Sequence, residues 1–119
     1  MSKRGMTVYL AGPITGIPKH NFPAFDHAKR KLQKRGYKVV SPADIDRSFG
    51  ITGKEKASEL SKALIRKVML KELGEIFNCD MVALLPGWKH SKGAAVEIAW
   101  AHVWEIPVMP LRSVPKCGK

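Results

Sequence analysis

Three stretches of this 119-residue chain carry side chains whose types and spacing can do chemistry. The first is Pro86-Gly87-Trp88-Lys89-His90-Ser91-Lys92-Gly93-Ala94-Ala95-Val96-Glu97. Ser91 stands where a helix begins and Gly93 lies just inside it, so free backbone N–H groups and a hydroxyl converge where an anion can bind. Glu97 follows about one turn further along, and a carboxylate there can attack an electrophilic sugar carbon, as carboxylates do in glycosyl transfer. The structural alternative is that Ser91 only caps the helix and Glu97 is a surface charge near its start. The second stretch is Ala11-Gly12-Pro13-Ile14-Thr15-Gly16, whose glycines let backbone approach a ligand closely or simply make a tight turn. It fits neither GxGxxG nor GxxxxGK[ST], and Gly53-Lys54 is followed by Glu55, so a dinucleotide site and a P-loop are disfavoured. The third is a pair of acids, Glu72 and Asp80. A carboxylic acid that donates a proton near neutrality has to be raised by burial. Asp80 opens an apolar strand and equally reads as a plain strand-start residue.

Other reactive side chains form no such pattern. His20, His27, His90 and His102 lack metal-ligand spacing, and no cysteine joins them, so neither structural zinc nor a bound cofactor is expected. Trp88 can stack on a base, whereas Trp100 and Trp104, four apart on one helix, suit a core or an interface.

These residues need elements to position them. Met6-Thr7-Val8-Tyr9-Leu10-Ala11 reads as a buried strand stopped by Gly12-Pro13. Asn21 then caps a helix with Pro23 in its first turn, and Phe25, Ala28 and Leu32 recur at helical spacing as far as Gly36. Tyr37 to Val40 is a second strand. Residues 41–56 show no period and read as a long polar loop. Ala57 to Asn78 is helical, Met81 to Leu85 is a strand covered on both faces, Lys92 to Glu105 is helical, and Ile106 to Met109 is a last strand. This alternation predicts an α/β fold, a doubly wound, mostly parallel sheet of four to five strands with helices on both faces. Ligands bind beyond the carboxyl ends of such strands, which brings the loops Gly12–His20, Ser41–Lys56 and Pro86–Gly93 to one crevice. The candidate substrate-binding residues there are Gly12, Pro13, Ile14, Gly87, Trp88, Ser91 and Gly93, with Asn21 directly after the first loop.

Composition bounds the rest. The length suits a single domain over 1–119, with 110–119 as a tail that is poorly ordered or used in a contact. A hydrophobic fraction of 45% supports a core, and no apolar run reaches the roughly 20 residues a membrane span needs. The start Met1-Ser2-Lys3-Arg4-Gly5 is charged, but the apolar stretch after it is too short for a signal peptide. Two cysteines, Cys79 and Cys117, make no disulfide framework, so a cytoplasmic protein is expected. Twenty-one basic against ten acidic residues give +11, with a dense run through Lys29-Arg30-Lys31, Lys34-Arg35 and Lys38. That run is a solvated helix face or a surface that attracts nucleotides or nucleic acid, which keeps a non-catalytic binding module as the alternative function.

Taken in order, Val8-Tyr9-Leu10-Ala11-Gly12-Pro13, Asn21-Phe22-Pro23-Ala24-Phe25, Cys79-Asp80 through Leu85-Pro86-Gly87-Trp88, and Ser91-Lys92-Gly93-Ala94-Ala95-Val96-Glu97 resemble the nucleoside 2-deoxyribosyltransferase superfamily. Within it the sequence is most similar to the small phage and bacterial proteins called DUF4406, and the likeness covers about residues 6–110. The resemblance implies a flavodoxin-like fold and cleavage or exchange of the N-glycosidic bond of a deoxynucleoside or its monophosphate. It implies that Glu97 attacks C1′ to form a covalent deoxyribosyl intermediate and that Tyr9 holds and orients it. Glu72 occupies the position of a substrate-contacting aspartate and is one methylene longer. Ser91 matches a serine that binds the 5′-phosphate in the nucleotide-hydrolysing branch, while Pro13 and Thr15 stand where that branch has a serine and an arginine. The resemblance also implies a homo-oligomer whose neighbouring subunit completes the site, with Trp100 and Trp104 as contact residues.

Overall fold

The computed structural model describes residues 5–116, so Cys117 and the end of the expected tail lie outside the described residues, as does most of the charged start. Four strands, β1 (Thr7–Ala11), β2 (Lys38–Val40), β3 (Met81–Leu84) and β4 (Val108–Pro110), alternate with α1 (Phe22–Lys34), α2 (Pro42–Ser48), α3 (Lys62–Phe77) and α4 (Lys92–Val103). The sheet order is β2-β1-β3-β4 and every pairing is parallel, as the alternating elements predict. Right-handed crossovers then set α1 on one face and α3 and α4 on the other. Consistent with this, α1 packs on β1 and β2, while α3 packs on α4.

β1 is central, and Val8 to Ala11 are wholly buried between Val39–Val40 of β2 and Met81–Leu84 of β3. β3 is buried along its whole length, as its unbroken apolar run requires of a strand covered on both faces. Phe25, Ala28 and Leu32 supply the inward stripe of α1, at the spacing read from the sequence.

The chain departs from the sequence expectation in two places, residues 41–56 and Asn21. Residues 41–56 are not one loop: Pro42–Ser48 form α2, started by Pro42 in the first turn and by Ser41, whose Oγ accepts from the Ala43 N–H at 3.2 Å. Asn21 does not cap α1; its own φ is +59°, and its Nδ2 donates instead to the Pro13 carbonyl at 3.0 Å. The tail after Met109 is folded against the domain as far as it is described. Val114 is buried, the Arg35 guanidinium donates to its carbonyl, and the Tyr37 hydroxyl donates to the carbonyl of Pro115. Among the described residues no helix is long and apolar enough to cross a membrane.

Candidate active site

Two helices present a glutamate where an apolar residue is expected. On α3 the buried stripe is Val68, Glu72 and Ile76, and on α4 it is Ala94, Glu97 and Ala101. Helical spacing therefore aims both carboxyls into the core, where they are 5% and 4% exposed. Below them lies Tyr9, fully buried in β1 between Val40 and Val82. Its hydroxyl donates to Glu97 Oε2 at 2.6 Å, a short bond of the charge-assisted kind. Glu72 also hydrogen-bonds Glu97.

Burial raises all three groups, because a charge in a low dielectric loses its hydration. Glu72 is driven up by desolvation, then by the charges of Glu97 and Asp46. Glu97 is also raised by desolvation, but the hydrogen bonds from Tyr9 and Glu72 pull it part of the way back. Tyr9 is held above its ordinary value by burial and by both glutamates. Both glutamates are therefore raised by burial, Glu72 more strongly because only Glu97 is pulled back by hydrogen bonds, and the pair holds a proton between its carboxyls.

A third acid joins them that the sequence did not single out. Asp46, on the inward face of α2, is 5% exposed. Desolvation raises it to about 6, partly offset by His20 and Arg47 and reinforced by Glu55. Its charge is felt at Tyr9, Glu72 and Glu97. His20, read from the sequence only as a non-ligand, is buried beside it and donates from Nε2 to the Glu55 carbonyl at 2.6 Å. The signal for Asp46 was present in Ser41-Pro42, a helix start, but the helix it opens is too short to show a period.

The walls come from loops at the carboxyl ends of the strands. Gly12 and Gly87 are required there for packing: a Cβ on Gly12 would lie 2.8 Å from the Leu85 Cβ, and one on Gly87, whose φ is +88°, 3.1 Å from the Pro13 ring. Close approach thus serves loop against loop. Lys19, His20 and Asn21 all have positive φ, a conformation costing on the order of 1–2 kcal/mol per non-glycine residue, and the side-chain bonds of His20 and Asn21 hold it in place. Ile14 and Trp88 are half-buried at this end, with Lys89 Nζ 5.8 Å from the Trp88 ring centre. Ser91 does cap α4, its Oγ accepting from the Ala94 N–H at 3.1 Å, with Gly93 in the first turn.

Asp80 lies elsewhere. It accepts from the Thr7 N–H at 2.7 Å at the amino ends of β1 and β3, so it is the strand-start residue and takes no part in the crevice. The basic run on α1 is also a separate region. Lys29 pairs with Asp44 at 2.6 Å, and Arg47 grips Asp26 through both nitrogens at 3.0 and 2.7 Å. These residues, with Arg30 and Gln33, line an open depression of about 260 Å³. Trp100 is half-buried and donates from Nε1 to the Leu73 carbonyl at 2.8 Å, while Trp104 and Phe77 meet edge to face on the exposed side of α3 and α4. Among the described residues no group of three or more His, Cys, Asp or Glu is arranged to hold a metal.

Residues 6–110 match the family described as a domain of unknown function, DUF4406. No curated protein matches the chain. Among solved structures it is similar to a 2-deoxyribosyltransferase from the psychrotolerant bacterium Bacillus psychrosaccharolyticus, with 20% identity and a TM-score of 0.64, over 87% of this chain and 70% of that one. It is also similar to BlsM, known from a solution structure, with 24% identity and a TM-score of 0.60, over 88% of this chain and 64% of BlsM. At these identities the likeness is one of fold: a four-stranded parallel sheet with flanking helices.

Proposed function

The chain belongs to the DUF4406 family, and from that premise we propose that it cleaves or exchanges the N-glycosidic bond of a nucleoside or nucleotide, with Glu97 as the nucleophile at C1′. The observation that carries this reading is a Glu97 carboxyl, 4% exposed, held at 2.6 Å by the Tyr9 hydroxyl. Such a carboxylate is desolvated and fixed in direction, as attack on an oxocarbenium-like carbon requires. A Glu97 oxygen bonds C1′ as the C1′–N bond breaks, and the bonding pair leaves with the base. Water or an acceptor base then attacks C1′ and returns Glu97 to its carboxylate. Tyr9 and Glu72 hold the nucleophile, and the proton of the glutamate pair is a proton source beside it.

The remaining candidates fit as walls of the same site. Gly12, Pro13, Ile14 and Asn21 form one side, and Gly87, Trp88, Ser91 and Gly93 the other. The amino end of α4 and the Ser91 hydroxyl suit the 5′ group of the substrate, by the attraction of a helix amino terminus for anions. The fold shared with a 2-deoxyribosyltransferase supports a deoxyribosyl substrate. Self-association through exposed Phe77 and Trp104 belongs to the reading, and Trp104→Lys then lowers the molar mass seen by light scattering.

The decisive assay offers wild type, Glu97→Ala and Glu97→Gln a panel of deoxynucleosides and their 5′-monophosphates. Base release by wild type alone is the expected result. Wild type that releases no base from any member overturns the enzymatic reading, and fully active variants overturn the role of Glu97.

A further inference from the structure

The cations of this chain are not placed alike. Lys29 and Arg47 are paired with Asp44 and Asp26 on the flank of α1 that faces α2. Lys31 and Arg35, one helical turn apart, fall on the other flank, with Lys34 between them. The folded tail lies against that flank. The Arg35 guanidinium donates to the Val114 carbonyl, the Tyr37 hydroxyl donates to the Pro115 carbonyl, and Val114 is buried. Arg112 and Lys116, two residues to either side of Val114, are thereby brought beside α1. Both are exposed, as are Lys31 and Lys34.

Five cations from two segments far apart in sequence thus form one ridge, and no acid interrupts it. Asp26 is the one acid of α1 and is held by Arg47, and the sequence has no acid after Glu105. None of the ion pairs among the described residues includes any of the five. The helix dipole accounts for basic residues in the last turn of α1. It does not account for Arg112 and Lys116, which another segment adds to them, while Lys31 and Arg35 repel each other at a spacing of four.

The surroundings say which polyanion fits. Among the described residues the exposed large apolar side chains, Phe77 and Trp104 included, lie along α3 and α4 on the opposite face of the sheet. The ridge has no exposed Phe, Tyr or Trp on which an unpaired base can stack. It has no large exposed apolar side chain to sink into a lipid surface either. It also lies toward the amino ends of the strands, since Arg35 leads into β2, whereas the crevice is at their carboxyl ends. We propose that this ridge, built from the last turn of α1 and the folded tail, binds the phosphate backbone of duplex nucleic acid without reading its sequence. A duplex supplies the dense row of anions that unopposed cations recognise, and backbone contacts carry no sequence information. This surface and the glycosidic site are independent, and neither needs the other.

The test is fluorescence anisotropy of the full chain with a labelled DNA duplex, at salt from about 0.05 to 0.2 M. Wild type should bind, with log K falling linearly with log salt at a slope no steeper than about −4.5, or 0.9 for each of five phosphates. The triple variant Lys31→Gln, Lys34→Gln, Lys116→Gln should weaken binding by about 100-fold or more at 0.1 M salt, where each released counterion is worth just under tenfold. Its slope should flatten by about 2.7. Lys62→Gln, Arg66→Gln, Lys67→Gln removes as much charge from exposed positions on α3 and should weaken binding by about fivefold or less. Lys31→Arg, Lys34→Arg, Lys116→Arg keeps the charge and should bind as wild type does, which separates lost charge from a folding defect. An RNA duplex and a second DNA duplex of unrelated sequence should bind within about tenfold of the first, and a larger preference overturns a pure backbone contact. No duplex binding at the lowest salt, equal losses in the ridge and α3 variants, or tighter binding to the single strand overturns the assignment. Binding confined to vesicles of phosphatidylserine and phosphatidylcholine also overturns it and makes the ridge a membrane contact.

Discussion

Asp44 and Asp46 stand two residues apart on one short helix and meet opposite surroundings. Asp44 turns outward, bonded by Lys29 at 2.6 Å and by Arg47 at 3.1 Å, and Arg47 also grips Asp26. Asp46 turns inward to join Glu72 and Glu97, and none of the ion pairs among the described residues includes any of the three. Cations are not scarce in a chain of net charge +11. What differs is burial: a cation beside these carboxyls would neutralise them and give up the raised proton affinities that acid, base and nucleophile chemistry uses. The outer acids fit a stabilised surface, the inner acids a reactive site kept at some expense of stability.

The strongest way to break that contrast is to neutralise one acid from each region. Glu97→Gln keeps size and shape but removes the nucleophile, and base release should fall by about 10³-fold or more. Asp44→Asn should leave it within about twofold, since its partners lie on the outer surface. Comparable losses in the two variants would erase the distinction. Tyr9→Phe tests the next layer. A hydrogen bond to a charged group is worth about 1.5–3 kcal/mol, so losing the 2.6 Å bond should slow base release by about 10- to 100-fold in a folded protein. An unchanged rate in steady-state assays would mean that Tyr9 only fills space.

Most of the outer architecture was legible in the sequence, because long elements advertise themselves. The apolar runs at Val8–Ala11 and Met81–Leu85 and the spacing of Phe25, Ala28 and Leu32 predict β1, β3 and α1 as they stand. Tyr9, Ser91 and Glu97 were readable as a frame. Glu72 was legible through its place on the long helix before Asp80 and through the resemblance, whereas its buried stripe with Val68 and Ile76 shows only in the structure. Asp46 was not, because a seven-residue helix has under two full turns in which to show a period. Its environment is tertiary besides: the groups that shift it come from the segment after β1 and the loop after α2. Asn21 misled for a related reason, a good capping residue drawn away by the Pro13 carbonyl.

The inner acids should also reveal themselves in the pH dependence of stability. A carboxyl raised on folding binds its proton more tightly in the folded chain, so its contribution is complete below the ordinary carboxylate range and is lost as pH rises through the raised value. Glu72, the group burial raises most, should therefore weaken the fold increasingly from about pH 4.5 toward pH 8. Glu72→Gln can still donate to Glu97 and has no proton to lose. Its melting temperature should exceed that of wild type at pH 8, by about 4 °C for each 1 kcal/mol gained, and the gap should close toward pH 4.5. Asp26 has the opposite sign: its bond to Arg47 lowers it, so its contribution is present above the ordinary range and is lost as pH falls. A Glu72→Gln gap that widens on acidification would contradict the proton held between Glu72 and Glu97.

The smallest effect should come from the best-formed pair on the outer surface. Lys29 and Asp44 meet at 2.6 Å, but their side chains are 29% and 42% exposed, so water screens the attraction and each side chain loses rotamer freedom in holding it. Lys29→Ala should then cost less than about 1 kcal/mol in a denaturant titration. That cost should shrink further between about 0.05 M and 0.5 M salt, as the screening length falls. Base release should not change, because Lys29 faces α2 from the outside of α1 and touches none of Tyr9, Asp46, Glu72 or Glu97. A loss of several kcal/mol, or a loss insensitive to salt, would show that this ion pair braces α2 and through it Asp46. The two regions would then be mechanically one, and the outer acids would have a share in positioning the inner ones.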